Sequence, residues 1–253
     1  MKSLRTHIPN IITALNLLSG CLSIAWASYD YLTIAAIFIL IAAILDFSDG
    51  LAARFLKAYS PIGAQLDSLA DMVSFGLAPA FLVFRNLFNL FSSSGQIQDL
   101  LSMNWFSGIA LFLPFILSIF AALRLAKFNI DTRQKEYFIG LPTPAMALFF
   151  ASLIYFFQDT YVQLQWTYKI TNVSLFWSGC IILFSLLMVS ELRMISIKFK
   201  NFRWSDNQFQ YLFIGISVIL LVSLQAKSIP LIILWYIMLS VVYHIYKAKT
   251  LSL

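Results

Sequence analysis

Apolar residues come in long runs broken by short polar stretches, at residues 11–28, 31–45, 64–84, 107–123, 141–157, 173–190, 209–225 and 229–246. Runs of this length predict helices, and about 20 apolar residues let a helix cross a hydrocarbon core about 30 Å thick. The pattern therefore predicts an all-α polytopic membrane protein with about eight transmembrane helices. The longest connection, 85–106, contains Ser92, Ser93, Ser94 and Gly95, and its Phe and Leu content predicts a helix lying in the membrane interface. The first run follows Lys2 and Arg5 and ends in Ala25-Trp26-Ala27, a pattern shared with cleavable signal peptides. Asn10, Thr13 and Asn16 fall on one side of it at helical spacing, which suits a retained helix facing a polar pocket.

Composition agrees with the runs. A 60% hydrophobic content and a mean hydropathy of +0.84 exceed what one soluble core needs. The net charge of +6 raises the question of nucleic acid, but the basic residues are scattered between apolar runs, and no nucleic-acid partner is expected. With eight spans both ends share a side. Of the 17 Lys and Arg, all but Arg85, Lys169 and Lys227 fall on that side, so both termini are expected in the cytoplasm of a cell (inner) membrane protein. Cys21 and Cys180 lie in separate runs without metal-type spacing and read as packing residues. Neither a Walker loop nor a dinucleotide fingerprint occurs.

Charged residues are only 11% of the chain, yet Asp46, Asp49, Asp67 and Asp71 crowd into one stretch. Spacings of three and four put each pair on one helix face, and Tyr59-Ser60-Pro61 marks a turn between two helices whose acidic faces meet. From Tyr31, about 22 Å of helix precedes Asp46, so both pairs lie near the same, cytoplasmic, end of their spans. Inserting each carboxylate costs about 2.5–3.5 kcal/mol, and Arg54 alone offers too little positive charge to offset the set. One or two divalent cations on oxygen ligands would.

The same stretch fits D-x2-D-G-x2-A-R-x8-G-x3-D-x3-D through Asp46, Asp49, Gly50, Ala53, Arg54, Gly63, Asp67 and Asp71, and so resembles the CDP-alcohol phosphotransferases. The resemblance implies a six-helix catalytic membrane core over residues 1–203, two additional C-terminal helices over 204–253, and a homodimer. It implies Mg2+ or Mn2+, two ions, on Asp46, Asp49, Asp67 and Asp71, with Asp71 also the general base. Gly50, Ala53, Arg54 and Gly63 would contact the nucleotide and phosphates of a CDP-linked lipid. Pro9, Asn10 and Thr13 match P-N-x2-T, which recurs in the family near the nucleotide. Other readings stand beside these: Asn10 as a helix N-cap, Arg54 reaching anionic headgroups, and the glycines and alanines as close-packing positions.

The acceptor is read from other stretches. M-V-S-F-G-L-A-P-A at 72–80, L-R-L-A-K-F-N at 123–129, G-L-P-T-P-A at 140–145 and V-S-E-L-R at 189–193 are similar to the bacterial and archaeal type of phosphatidylserine synthase. That similarity implies CDP-diacylglycerol and L-serine as substrates. Arg124, Lys127 and Arg193 near the cytoplasmic ends of spans either hold a serine carboxylate or phosphate, or reflect topology alone. Asn129 and Ser74 are polar candidates for orienting serine, and Glu191 is expected to pair with Arg193 or Lys198. His244 with Lys247 reads as an interfacial anchor. A sister enzyme taking glycerol 3-phosphate or inositol, and more remotely a cation-coupled transporter, are the alternatives.

Overall fold

A computed structural model describes residues 2–92, 105–131, 138–161, 170–195, 203–204 and 207–251. Helices dominate. Among the described residues, His7–Ser28, Leu32–Leu56, Pro61–Phe91, Gly108–Ile130 and Gln208–Tyr246 are long and apolar enough to cross a membrane, and Thr143–Phe157 and Ser174–Val189 are shorter apolar helices. The chain is thus an all-α membrane protein.

The first helices build the frame. α1 (Lys2–Ser28) and α2 (Leu32–Leu56) are joined by a tight turn in which Asp30 takes a left-handed conformation, φ 68°. They pack along their length. Hydroxyls stitch them where small residues allow close approach: Ser19 Oγ donates to the Phe38 carbonyl and Ser23 Oγ to that of Ala35, each at 2.8 Å. α1 already runs from Lys2, so Asn10 lies inside the helix, which removes the N-cap reading.

α2 stops at Lys57, whose left-handed backbone (φ 50°) lets its N–H reach the carbonyls of Ala53 and Arg54. The expected turn follows. Ser60 is the N-cap of α3 (Pro61–Asp71), accepting the Gly63 N–H at 2.9 Å, and Pro61 sits at the first turn where its missing N–H costs nothing. Directly after Asp71 the chain widens into a π-helical segment, Met72–Leu77, before α4 (Ala78–Phe91). Such bulges re-aim side chains within an otherwise continuous helix. The helix does not end near residue 84: it runs on to Phe91, with Arg85 and Asn89 bonded to Asp30 of the α1–α2 turn, so residues 85–91 continue the span instead of opening a loop. The remainder of the expected interfacial helix, 93–104, lies outside the described residues.

α5 (Trp105–Phe112) and α6 (Phe115–Ile130) are separated at Pro114, which cannot donate to a helix ladder. α7 (Thr143–Tyr161) and α8 (Ile170–Val189) meet through rings, with Phe149 stacked 4.2 Å from Phe184. A short ribbon pairs β1 (Phe138–Ile139) with β2 (Arg193–Met194), antiparallel. Gly140 follows β1 at φ 73°, so close to the Met188 carbonyl oxygen that a Cβ would lie 2.4 Å from it. α9 (Gln208–Leu224) and α10 (Ile229–Leu251) form one apolar stretch broken by a 3-10 turn at Gln225–Ser228. α10 packs on α7 and β2. His244 is part of this packing: its Nδ1 accepts the Arg193 N–H at 3.2 Å, a tertiary contact beyond the interfacial anchoring expected of it.

Candidate active site

The site is assembled by α1. It packs against α2, α3 and the π segment, whereas α2 and α3 touch one another little, so the space between them is floored by α1. From α2 come Asp46 and Asp49, from α3 Asp67. One carboxylate oxygen of each lies within 4.8 Å of the others. Asp71, on the next turn of α3, sits beside Asp46. The spacing of three and four residues along two helices therefore brings the acidic faces together.

α1 contributes polar partners from the same side. The Thr13 hydroxyl, 3% exposed, donates to Asp49 Oδ2 at 2.6 Å. Asn16 Nδ2 approaches Asp71 Oδ1 at 3.4 Å. Asp67 Oδ1 is buried without a hydrogen-bond partner. Among the described residues no Lys, Arg or His lies within ion-pair distance of these carboxylates. Clustered, partly buried anions with a hard-oxygen donor set and an orphaned buried oxygen fit a divalent cation, so the residues present match the metal that the resemblance implies.

Beside the cluster opens a cavity of about 340 Å³ lined by Pro9, Asn10, Thr13, Asp49, Gly50, Ala53, Arg54, Ala58, Tyr59, Ser60, Gly63, Ala64 and Asp67. Every residue expected to contact a nucleotide is on this wall. Gly63 is required by close approach: a Cβ there would stand 2.8 Å from Asn10 Oδ1 and 2.9 Å from Ser60 Oγ. At Gly50 a Cβ would meet only Arg54 Nη2, at 3.9 Å, so that position stays open to a ligand instead of serving helix packing. Arg54 is exposed and held by its own helix, Nε donating to the Gly50 carbonyl at 3.0 Å.

The residues expected to bind serine are not on that wall. Ser74 is fully buried, and its hydroxyl is committed to the Asn16 carbonyl at 2.9 Å, a helix-packing bond. Arg124 is 7% exposed, close enough to Asp71 and Tyr236 for charge to matter, and its guanidinium lies 5.7 Å from the Phe128 ring centre. Lys127 Nζ donates to the Val189 carbonyl at 3.4 Å and Asn129 Nδ2 to Ser68 Oγ at 3.0 Å, both at the surface. Arg193 belongs to the ribbon. Sequence reasoning passed over the contact of Asn16 with Asp71, although its spacing from Thr13 had put it on the right face, and over Ala58, Tyr59 and Ala64 in the wall.

An α-helical membrane protein with a carboxylate cluster beside a cavity of this size fits the class of membrane-embedded phosphotransferases that work with a metal. Within it, this chain belongs to the CDP-alcohol phosphatidyltransferase family, whose model matches residues 6–184. It is similar to CDP-diacylglycerol–serine O-phosphatidyltransferase of Helicobacter pylori, 33% identical over 223 residues covering 87% of this chain and 84% of the relative. The protein of that name from Bacillus subtilis is 39% identical over 151 residues, 59% of this chain and 77% of the relative. The one from Methanocaldococcus jannaschii is 33% identical over 186 residues, 74% and 72% respectively.

Proposed function

We propose that this chain transfers the phosphatidyl group from CDP-diacylglycerol to the hydroxyl of L-serine, giving phosphatidylserine and CMP. One observation carries it: carboxylates from α2 and α3 converge within 4.8 Å beside a cavity walled by the family's motif residues. The activity for which these relatives are named directs the choice of acceptor.

In this reading Asp46, Asp49, Asp67 and Asp71 hold Mg2+ or Mn2+, two ions, which when bound neutralise the diphosphate and the charge growing on the leaving CMP. Asn10, Thr13, Gly50, Ala53, Arg54 and Gly63 hold the cytidine diphosphate. Thr13 fixes the rotamer of Asp49 through its 2.6 Å bond. Asp71 takes the serine hydroxyl proton as that oxygen attacks the lipid-side phosphorus, and the bond from this phosphorus to the CMP oxygen breaks. Arg124, buried beside Asp71, is the cation best sited for a substrate carboxylate or phosphate, while Lys127, Asn129 and Arg193 lie further out.

Eight spans with both termini and the site on the cytoplasmic side agree with the distribution of Lys and Arg. Residues 1–203 act as the catalytic domain, 204–253 as an added helix pair, and the working unit is a homodimer. The test is CMP release from CDP-diacylglycerol by purified protein with L-serine, inositol or glycerol 3-phosphate. Serine-dependent release abolished by chelation and restored by Mg2+ or Mn2+ is expected; release with glycerol 3-phosphate alone would overturn the serine assignment.

A further inference from the structure

Asn16 lies on α1 with none of its side chain exposed. Its carboxamide has two ends with different surroundings. Nδ2 faces Asp71 Oδ1 at 3.4 Å, while Oδ1 is buried with no hydrogen-bond partner. The amide is therefore turned with its donor toward Asp71 and its acceptor unpaired. An unpaired buried acceptor is destabilising, and a purely structural position would avoid it with an apolar side chain. The backbone beneath is fixed as well. The Asn16 carbonyl accepts the Ser74 hydroxyl at 2.9 Å, and Gly20, one turn on, lets α1 lie against Ser74 itself. The 3.4 Å contact is long, as catalytic hydrogen bonds are before substrate tightens them.

Building on the reading of Asp71 as general base, we propose that Asn16 positions that base and selects the acceptor. Its Nδ2 holds one oxygen of Asp71 so that the other meets the serine hydroxyl, and its Oδ1 accepts a hydrogen bond from the serine ammonium. The unpaired atom is an acceptor in an anionic neighbourhood, which favours a cationic donor and disfavours a phosphorylated alcohol.

Steady-state CMP release by the full chain, with serine and CDP-diacylglycerol varied separately, tests this. Asn16→Ala loses both functions: KM for serine rises and kcat falls, each about tenfold or more, with KM for CDP-diacylglycerol changing less than about twofold. Asn16→Asp retains the acceptor and loses the donor: kcat falls about tenfold or more with KM for serine within about threefold of wild type. Wild-type serine kinetics in Asn16→Ala, or parallel changes in both substrates' KM, would overturn the proposal while leaving the reaction assignment standing. If Asn16→Ala fails to fold, judged by loss of the thermal shift on adding CDP-diacylglycerol, then Asn16→Asp decides, and an unchanged kcat sinks the idea. No serine-dependent release from wild type would overturn the reaction assignment and this proposal together.

Discussion

Asp71 differs from its three neighbours in what surrounds it. Asp46, Asp49 and Asp67 offer oxygens to a common centre, whereas Asp71 stands at the junction of α3 and the π segment, between Asp46, Asn16 and Arg124. A group placed at the edge of the cage suits a base better than one at its middle. Asp71→Asn should lower kcat by about 10²–10⁴, the range for a general base, with CDP-diacylglycerol binding retained in an isothermal titration. Equal loss of binding would make Asp71 a ligand and nothing more. The four aspartates were legible because their spacing is local, and helical periodicity alone puts them on two faces. The burial of Arg124 and the contact of Asn16 were not, since each depends on which helix lies opposite.

At the scale of elements, the crossing of α1 over the π segment sets the site's geometry. A Cβ on Gly20 would lie 2.5 Å from Ser74 Oγ and 2.7 Å from Ser74 Cα, and the second of these is backbone that cannot rotate away. Gly20→Ala must push the two elements apart, and with them Asn16 from Asp71. Such overpacking costs about 1–3 kcal/mol, so the melting temperature in detergent should drop by several degrees and kcat should fall, although no catalytic group has changed. Unchanged kcat with a lowered melting temperature would separate the crossing from the chemistry. The turn between α2 and α3 was readable from Ser60-Pro61, whose cap chemistry is local. The length of the next helix was not: Arg85 reads as the end of an apolar run, yet the helix continues because Asp30, 55 residues earlier, accepts its guanidinium.

That same pair ties the molecule together at the end opposite the site. Arg85 and Asn89 of α4 grip Asp30 in the α1–α2 turn, with bonds of 2.7 Å from Arg85 Nε and 2.8 Å from Asn89 Nδ2. Arg85, with Asn89 adding to it, holds the Asp30 carboxyl below the usual carboxylate range, against partial burial that acts the other way. A carboxyl lowered on folding contributes stability that is fully present above its unfolded value and is lost as pH falls through the folded one. Asp30 is 47% exposed, so the contribution is that of a screened surface pair, about 1 kcal/mol or less. Arg85→Ala should therefore lower the melting temperature at neutral pH, and the gap to wild type should close as pH drops below about 4. A gap constant down to pH 3 would assign the loss to packing of Arg85 on Phe88, 4.8 Å away, instead of to the ion pair.

The two ends of α2 make opposite demands on the membrane. Asp30 and Arg85 mark one end of the helix, while Asp46, Asp49, Arg54 and Lys57 mark the other, the end to which the sequence pattern assigns most of the basic residues. In the proposed reaction a water-soluble amino acid and a nucleotide-linked lipid meet at a surface that both reach, which requires the carboxylate end to face the compartment that supplies the amino acid. In a variant without Cys21 and Cys180, Lys57→Cys should react with a membrane-impermeant maleimide only after the inner membrane is opened, and Tyr29→Cys should react in intact cells once the outer envelope admits the reagent. Both side chains are exposed, so failure to label reports the side of the membrane and not burial. Labelling in the reverse order would place the cage away from its substrates. The charge distribution would then have to be explained by something other than orientation.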